Sequence, residues 1–451
     1  MNKSQNLTKD DIPTLIKQLT IPASTGMFFN TMYNVVDTFY AGVISTKAVA
    51  ALSLSFMIFF MIIGLGYGFS SAITALIGNA LGKKKNLLAS IYAHKGILFI
   101  PIVGLLLMVV GFLCSKEIFI FLGAKEQYLQ ICLEYIYVLL GGIPFFMLNF
   151  SLNAILVATG DTKTYRNTLI FGFFANLVLN PLFIHGFLFI PAMGISGIAL
   201  ATVLIQVINM LILFRKVLKT NMVNFLKPEY FLPQKKIYKD FVVHGLPSSL
   251  NMVTMGVGSI LLTYFVSTYG YKAVAGYGIG FRVEQIMLLP ALGLSTAVLA
   301  LVSNNFGAKK YDRVSQTIYK ALKYGFIICT FGVIFLYVFG ELIVSQFDND
   351  AEVISYATGY LAVEVWTFYA FVTLFICVST LQAIKKPKMI FWIGLYRQIV
   401  AKYMVGYTIV IYFALDFKYF WIGVMVMIYS AAIFAFLYTR NELKKLNIPD
   451  I

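Results

Sequence analysis

Twelve runs of apolar residues, separated by short polar turns, leave this 451-residue chain few ways to fold. They fall at about 20–44, 50–80, 91–115, 129–157, 165–186, 194–214, 241–268, 273–304, 317–340, 352–381, 389–414 and 419–440. Crossing a bilayer takes about 20 apolar residues in a helix. The runs are helical in period or uniformly apolar, and they lack the alternation of a membrane β-barrel. Charged residues make up 12% of the chain, half of the roughly 25% found in soluble domains. The chain therefore reads as an all-α polytopic membrane protein of twelve transmembrane helices. A soluble enzyme, a disordered tail and a disulfide scaffold are excluded. Several runs exceed the bilayer thickness, which calls for tilted helices.

The net charge of +16 suggests nucleic acid until the charges are placed on this topology. Most Lys and Arg residues fall at the termini and in the loops after even-numbered spans, including Lys83–Lys85, Arg215 to Lys239, Lys309, Lys310, Arg313, Lys385, Lys386 and Lys388. The opposite loops hold only Lys47, Lys116, Lys125, Lys272 and Lys418. By the positive-inside rule both termini are cytoplasmic, and the chain is multi-pass in the cytoplasmic (inner) membrane. The basic excess is then a topology signal aided by anionic lipid, with no nucleic-acid partner. Cys114, Cys132, Cys329 and Cys377 have neither metal nor disulfide spacing and read as small core residues.

The chain repeats itself at a shift of 225 residues. Pro22 aligns with Pro247, Lys47–Ala50 with Lys272–Ala275, Gly68 with Gly293, and Asn79, Gly82, Lys84 and Lys85 with Asn304, Gly307, Lys309 and Lys310. Six helices per repeat is an even number, so both halves enter the membrane in the same direction. Such parallel repeats are related by an axis along the membrane normal. The expectation is two six-helix lobes about a pseudo-two-fold axis, at 1–214 and 241–451. A basic cytoplasmic linker, 215–240, containing Pro228 and Pro233, would join them. Halves of this kind suit alternating access about a site near the midplane.

Specific motifs accompany the repeat. Pro22, Tyr33-Asn34-Val35-Val36-Asp37-Thr38-Phe39-Tyr40-Ala41-Gly42, Ile77–Gly82, Ala158–Lys163, Asn176–Pro181 and Gly194–Thr202 resemble the signatures of the multidrug and toxic compound extrusion (MATE) family. The resemblance covers nearly the whole chain. It implies a secondary active exporter of small amphipathic, often cationic compounds, driven by proton or sodium antiport. It also implies an essential aspartate at the position of Asp37, a polar partner at that of Thr202, and often an aspartate where this chain has Asn180. The alternative within the same superfamily is a flippase for a lipid-linked precursor. Such flippases carry several cavity cations, and here Arg282 and Lys402 are the deep ones. No reacting constellation joins the three histidines, so the chain is not read as an enzyme. It is expected to be monomeric, with lipids and small compounds as partners, no cofactor, and H+ or Na+ as coupling ion.

The repeat also sorts the intramembrane polar groups. Asp37 aligns with Leu262, Glu284 with Phe59, Glu364 with Leu139 and Arg282 with Met57. The buried charges thus sit where the halves differ. Asn30, Tyr33, Asn34 and Asp37 share one helix face by their i, i+3, i+4, i+7 spacing. A carboxylate at the bilayer centre costs roughly 2.5–3.5 kcal/mol on insertion scales and is accommodated by taking up a proton or holding a cation. Asn176 and Asn180, one turn apart, could bridge to it. The expected cation-coupling set is Asp37, Asn176, Asn180, Thr202, Asn34 and Tyr33. The resemblance implies an aspartate at the Asn180 position in many proton- and sodium-coupled members, so one acid is missing here. Fewer negative oxygens attract sodium more weakly; proton coupling is therefore favoured over sodium at this cluster, and no other metal site is expected. Glu284, Glu364 and Arg282 form the candidate substrate or second coupling site, although Glu364 could instead pair with Arg397 or Lys402 as a structural ion pair. Pro22, on the same helix as Asp37, marks a helix bend.

Overall fold

The computed structural model describes residues 6–187, 190–224, 228–230, 232 and 234–450. Pro233 of the expected linker lies outside the described residues. Among the described residues the chain forms twelve membrane helices. They are α1 (Ile12–Ile44), α2 (Thr46–Gly82), α3 (Asn86–Phe121), α4 (Glu126–Ala158), α5 (Lys163–His185), α6 (Ile195–Leu218), α7 (Lys235–Ser267), α8 (Tyr271–Gly307), α9 (Tyr311–Val344), α10 (Ala351–Ala383), α11 (388–412) and α12 (Phe417–Lys445). Each expected span lies on one of them. Ten are long and apolar enough to cross a bilayer on composition alone. The other two are α1, which carries Asn30, Asn34 and Asp37, and α11, which is interrupted by π-helical turns at Tyr396–Val400 and Tyr407–Tyr412.

The helices divide into two compact units, Thr25–Ser249 and Met1–Ser24 with Leu250–Ile451. This division differs from the expected lobe boundaries, because α1 and α7 each change unit within their own length. The change falls two residues after Pro22 in α1 and after Pro247 in α7. A helix-interior proline removes one backbone hydrogen bond and bends the helix there. In the first unit Gly68 of α2 receives Ser249 so closely that a Cβ would lie 2.2 Å from the Ser249 nitrogen. Ser249 Oγ donates to the Leu65 carbonyl at 2.8 Å. In the second unit Gly293 of α8 receives Ser24 in the same way. These are repeat-related pairs, and glycine is required at both for the backbones to approach.

Other contacts follow the repeat. Lys84 and Lys309 both take positive φ, 57° and 58°, in the matching turns after α2 and α8. Lys47 donates to Gln127 at 2.8 Å, bracing the starts of α2 and α4. Its counterpart Lys272 pairs with Glu352 and Asp350, each at 2.9 Å. Asp350 also caps α10 by accepting from the Glu352 and Val353 amides, and its hydrogen bond from Lys272 holds its carboxyl below the usual range.

Within Thr25–Ser249, α4 packs against α2, α3 and α6, and α5 against α6. The core is apolar, including Ile136, Leu140, Met147 and Ile155 of α4. The start of α3 also fixes the segment that follows α6. His94 Nε2 accepts from the Asn224 amide at 2.8 Å, and the fully buried Lys95 ammonium donates to the Tyr230 and Leu232 carbonyls. Cys132, Cys329 and Cys377 are buried, whereas Cys114 is exposed.

The Gly68–Ser249 contact makes a testable demand. Gly68→Ala forces backbone apart and should cost about 1–3 kcal/mol, the usual range for overpacking, seen as a lowered Tm of the purified protein. Gly141→Ala meets nothing within 4 Å and should leave Tm unchanged or raised. Equal Tm values for the two variants would contradict the close-approach reading.

Candidate functional site

Asp37 occupies the middle of a polar cluster inside the Thr25–Ser249 unit and is 5% exposed. The i, i+4 spacing of Asn176 and Asn180 puts both amides on the face of α5 that meets it. Asn176 Nδ2 donates to Asp37 Oδ1 at 2.8 Å, and Asn180 Nδ2 donates to the same oxygen at 2.9 Å. Asn180 Nδ2 also donates to Asn176 Oδ1 at 2.8 Å. From α6, Thr202 Oγ1 donates to Asp37 Oδ2 at 3.3 Å. Three helices thus converge on one carboxylate with three neutral donors and, among the described residues, no basic partner. This is how a buried carboxylate is accommodated without a counter-charge. Two polar atoms of the described cluster make no hydrogen bond of standard geometry, the buried Tyr33 hydroxyl and Asn180 Oδ1. Tyr33 neighbours Asp37, Thr202 and Asn176.

The structure brings together five of the six residues expected here. Asn34 is the correction. It is exposed and donates to the Asn30 carbonyl at 3.0 Å on its own helix. Its position one residue beyond Tyr33 and three before Asp37 puts it at the edge of that face rather than at its centre. Tyr135 of α4, absent from the expected set, is buried and within electrostatic reach of Asp37.

A second buried polar cluster lies within Leu250–Ile451. Glu284 of α8 accepts a short hydrogen bond from the Tyr360 hydroxyl of α10. Glu364, one turn further along α10, accepts from the Thr367 hydroxyl through Oε2 at 3.1 Å, while its Oε1 has no partner. Lys402 of α11 donates to Gln398 Oε1 at 2.7 Å and to the Gly258 carbonyl at 3.3 Å. Arg397 lies over the Phe371 ring at 5.5 Å. Rings of Tyr277, Tyr360 and Trp421 pack beside the acids, with Tyr360 and Trp421 edge to face at 4.4 Å. Arg282 does not join this cluster, because it is exposed, as its two-residue offset from Glu284 on one helix requires. The alternative of an ion pair joining Glu364 to Arg397 or Lys402 is also not realised, since no such pair lies within 4 Å among the described residues.

Tyr135 and Tyr360 are 225 residues apart and therefore equivalent. Each stands beside the buried acid of its own unit. Neither was singled out from the sequence, which drew attention to the buried charges at positions where the halves differ. The available signal was a tyrosine kept at the same membrane depth in both halves.

The comparisons agree with this architecture. The MatE family model matches residues 22–182 and 247–408, once in each half. The probable multidrug resistance protein YoeA of Bacillus subtilis is 30% identical over 75% of this chain and 74% of its own. The FAD transporter of Shewanella oneidensis is 23% identical over 88% of each chain. The solved structure of a MOP superfamily transporter from Pyrococcus furiosus superposes with a TM-score of 0.91 and 26% identity, covering 99% of both chains. The chain belongs to the MATE family of membrane transporters.

The C-terminal cluster can be tested through its tyrosine. Tyr360→Phe withdraws the donor from buried Glu284 and should lower stability by about 1–3 kcal/mol, the cost of leaving a buried polar group unsatisfied. Tyr135→Phe removes a hydroxyl without a hydrogen bond to Asp37 and should leave Tm close to wild type. Thermal unfolding in detergent compares the two, and the reverse order of effects would refute the assignment.

Proposed function

We propose that this protein is a secondary active multidrug exporter that exchanges amphipathic, often cationic compounds for protons at Asp37. The observation that carries the reading is the Asp37 carboxylate, buried and held by three neutral donors. In its ionised form both oxygens accept. A proton on Oδ2 turns that atom into a donor, so the Thr202 hydrogen bond must reverse or break. The neighbouring Tyr33 hydroxyl, which makes no hydrogen bond of standard geometry, is a ready new acceptor. The switch acts on α1, α5 and α6 together, which is what coupling requires.

Proton coupling is favoured over sodium by the orientation of the amides. Two N–H groups already occupy Asp37 Oδ1, and the cluster offers one carboxylate only. A hard cation would require oxygen ligands turned inward. The multidrug substrate class is supported by the printed name of the Bacillus subtilis relative. Alternating access of two homologous halves is supported by the parallel repeat. Placement in the cytoplasmic membrane with both termini cytoplasmic is supported by the distribution of Lys and Arg. The reading requires neither a second copy of the chain nor a cofactor.

Two measurements test it. Asp37→Asn should abolish ethidium export while leaving membrane insertion and Tm near wild type. In proteoliposomes, a pH gradient alone should drive transport by the wild type and a sodium gradient alone should not. Undiminished efflux by Asp37→Asn, or transport driven by sodium alone, would overturn the proposal.

A further inference from the structure

The buried cations of α11 have no role in the reading above. Arg397 is 7% exposed and Lys402 8%. Both break the repeat: their counterparts are Gly172 and Leu177. A guanidinium carries five N–H donors and no acceptor. That of Arg397 makes no hydrogen bond and no ion pair among the described residues. Its contacts are the Phe371 ring and the longer-range field of Glu284. Lys402 uses two of its three N–H groups, on Gln398 and Gly258.

The two acids nearby are engaged otherwise. Glu284 takes the Tyr360 hydroxyl and Glu364 takes the Thr367 hydroxyl. Both carboxylates feel Lys402, and Glu284 also feels Arg397, but neither closes an ion pair with them. Counting free hydrogen-bonding capacity, the cluster has a surplus of donors over acceptors. Among the described residues, Glu364 Oε1 is the one acceptor of the cluster that is buried without a partner. The Arg397 side chain is buried as a whole, yet none of its nitrogens is among the fully buried atoms without a partner, so its unpaired N–H groups stay open to a ligand.

The local backbone points the same way. Arg397 and Gln398 lie in the π-helical turn Tyr396–Val400, and such insertions recur at functional sites. The turn presses on α7, where a Cβ at Gly258 would lie 2.6 Å from the Gln398 carbonyl. The Phe371 ring beneath the guanidinium leaves its N–H edge for an in-plane, bidentate acceptor.

We propose that Arg397, with Phe371 beneath it and Lys402 and Gln398 beside it, forms an anion-binding site within the C-terminal unit. It accepts the phosphate or carboxylate of an aromatic compound, and the charge of Glu284, held by Tyr360, lies close enough to oppose that anion. This extends the ligands of the protein beyond cations. A phosphate could arrive on a soluble compound or on a lipid headgroup, and the two sources share the chemistry.

The test is equilibrium binding to the full-length protein in nanodiscs. The matched fluorescent probes are methylumbelliferyl phosphate, which is anionic, and methylumbelliferyl glucoside, which is neutral. Wild type should prefer the phosphate. Arg397→Gln should weaken phosphate binding by about tenfold or more, the loss of one or two charge-assisted hydrogen bonds, with glucoside binding unchanged. Glu284→Gln should tighten phosphate binding by removing a nearby negative charge, an outcome that a purely structural role for Arg397 does not produce. Competition in dodecyl maltoside, a detergent without phosphate, separates the sources. Stronger displacement of the probe by phenyl phosphate assigns a soluble anion, and stronger displacement by short-chain phosphatidic acid assigns the headgroup phosphate. No preference for the phosphate by wild type, or equal loss of both probes in a folded Arg397→Gln protein, overturns the proposal. Binding without a gradient needs no coupling ion, so failure here is distinct from failure of Asp37 as the coupling site.

Discussion

A carboxylate removed from water must be met by hydrogen-bond donors, by a positive charge or by a proton. The architecture around Asp37 follows from the first solution. Asn176 and Asn180 supply two donors from one turn of α5, Thr202 supplies a third from α6, and no cation stands near enough to lock the charge in place. A neutral solvation shell leaves the carboxylate free to change its protonation state, where a lysine or arginine partner would hold it ionised. The helices that provide the donors are therefore the ones that must respond when the charge disappears.

The other unit solves the same problem with different groups. Glu284 and Glu364 share their surroundings with Arg397 and Lys402, and the contacts among the four are long-range rather than paired. The repeat explains how the two arrangements coexist. The scaffold is shared: the Gly68–Ser249 and Gly293–Ser24 approaches, the turns at Lys84 and Lys309, the braces at Lys47 and Lys272, and the tyrosines at 135 and 360. The charges are not shared. One ancestral frame has been filled with a neutral-donor site in one half and a mixed-charge site in the other.

Much of this was legible in the residues because membrane helices are written in long apolar runs. The Asp37 cluster was legible because i, i+4 and i, i+7 spacing fixes which residues share a face. Asn34 marks where that reasoning loses resolution, since a helical face is broad and its edge residue turned outward. The exchange of α1 and α7 between units was not legible. Pro22 and Pro247 announce a change of direction, but only the glycine–serine approaches show which helix each half meets. The lack of an ion pair at Arg397 was equally hidden, because charge complementarity on neighbouring helices suggested a partner that side-chain geometry does not deliver.

Everything turns on whether Asp37 carries the exchangeable proton. The direct measurement is proton release from the detergent-solubilised protein in weakly buffered solution when ethidium is added. Near-stoichiometric release by wild type, lost in Asp37→Asn at unchanged fold, is the expected result. Equal release from both proteins would place the coupling proton elsewhere and contradict the account.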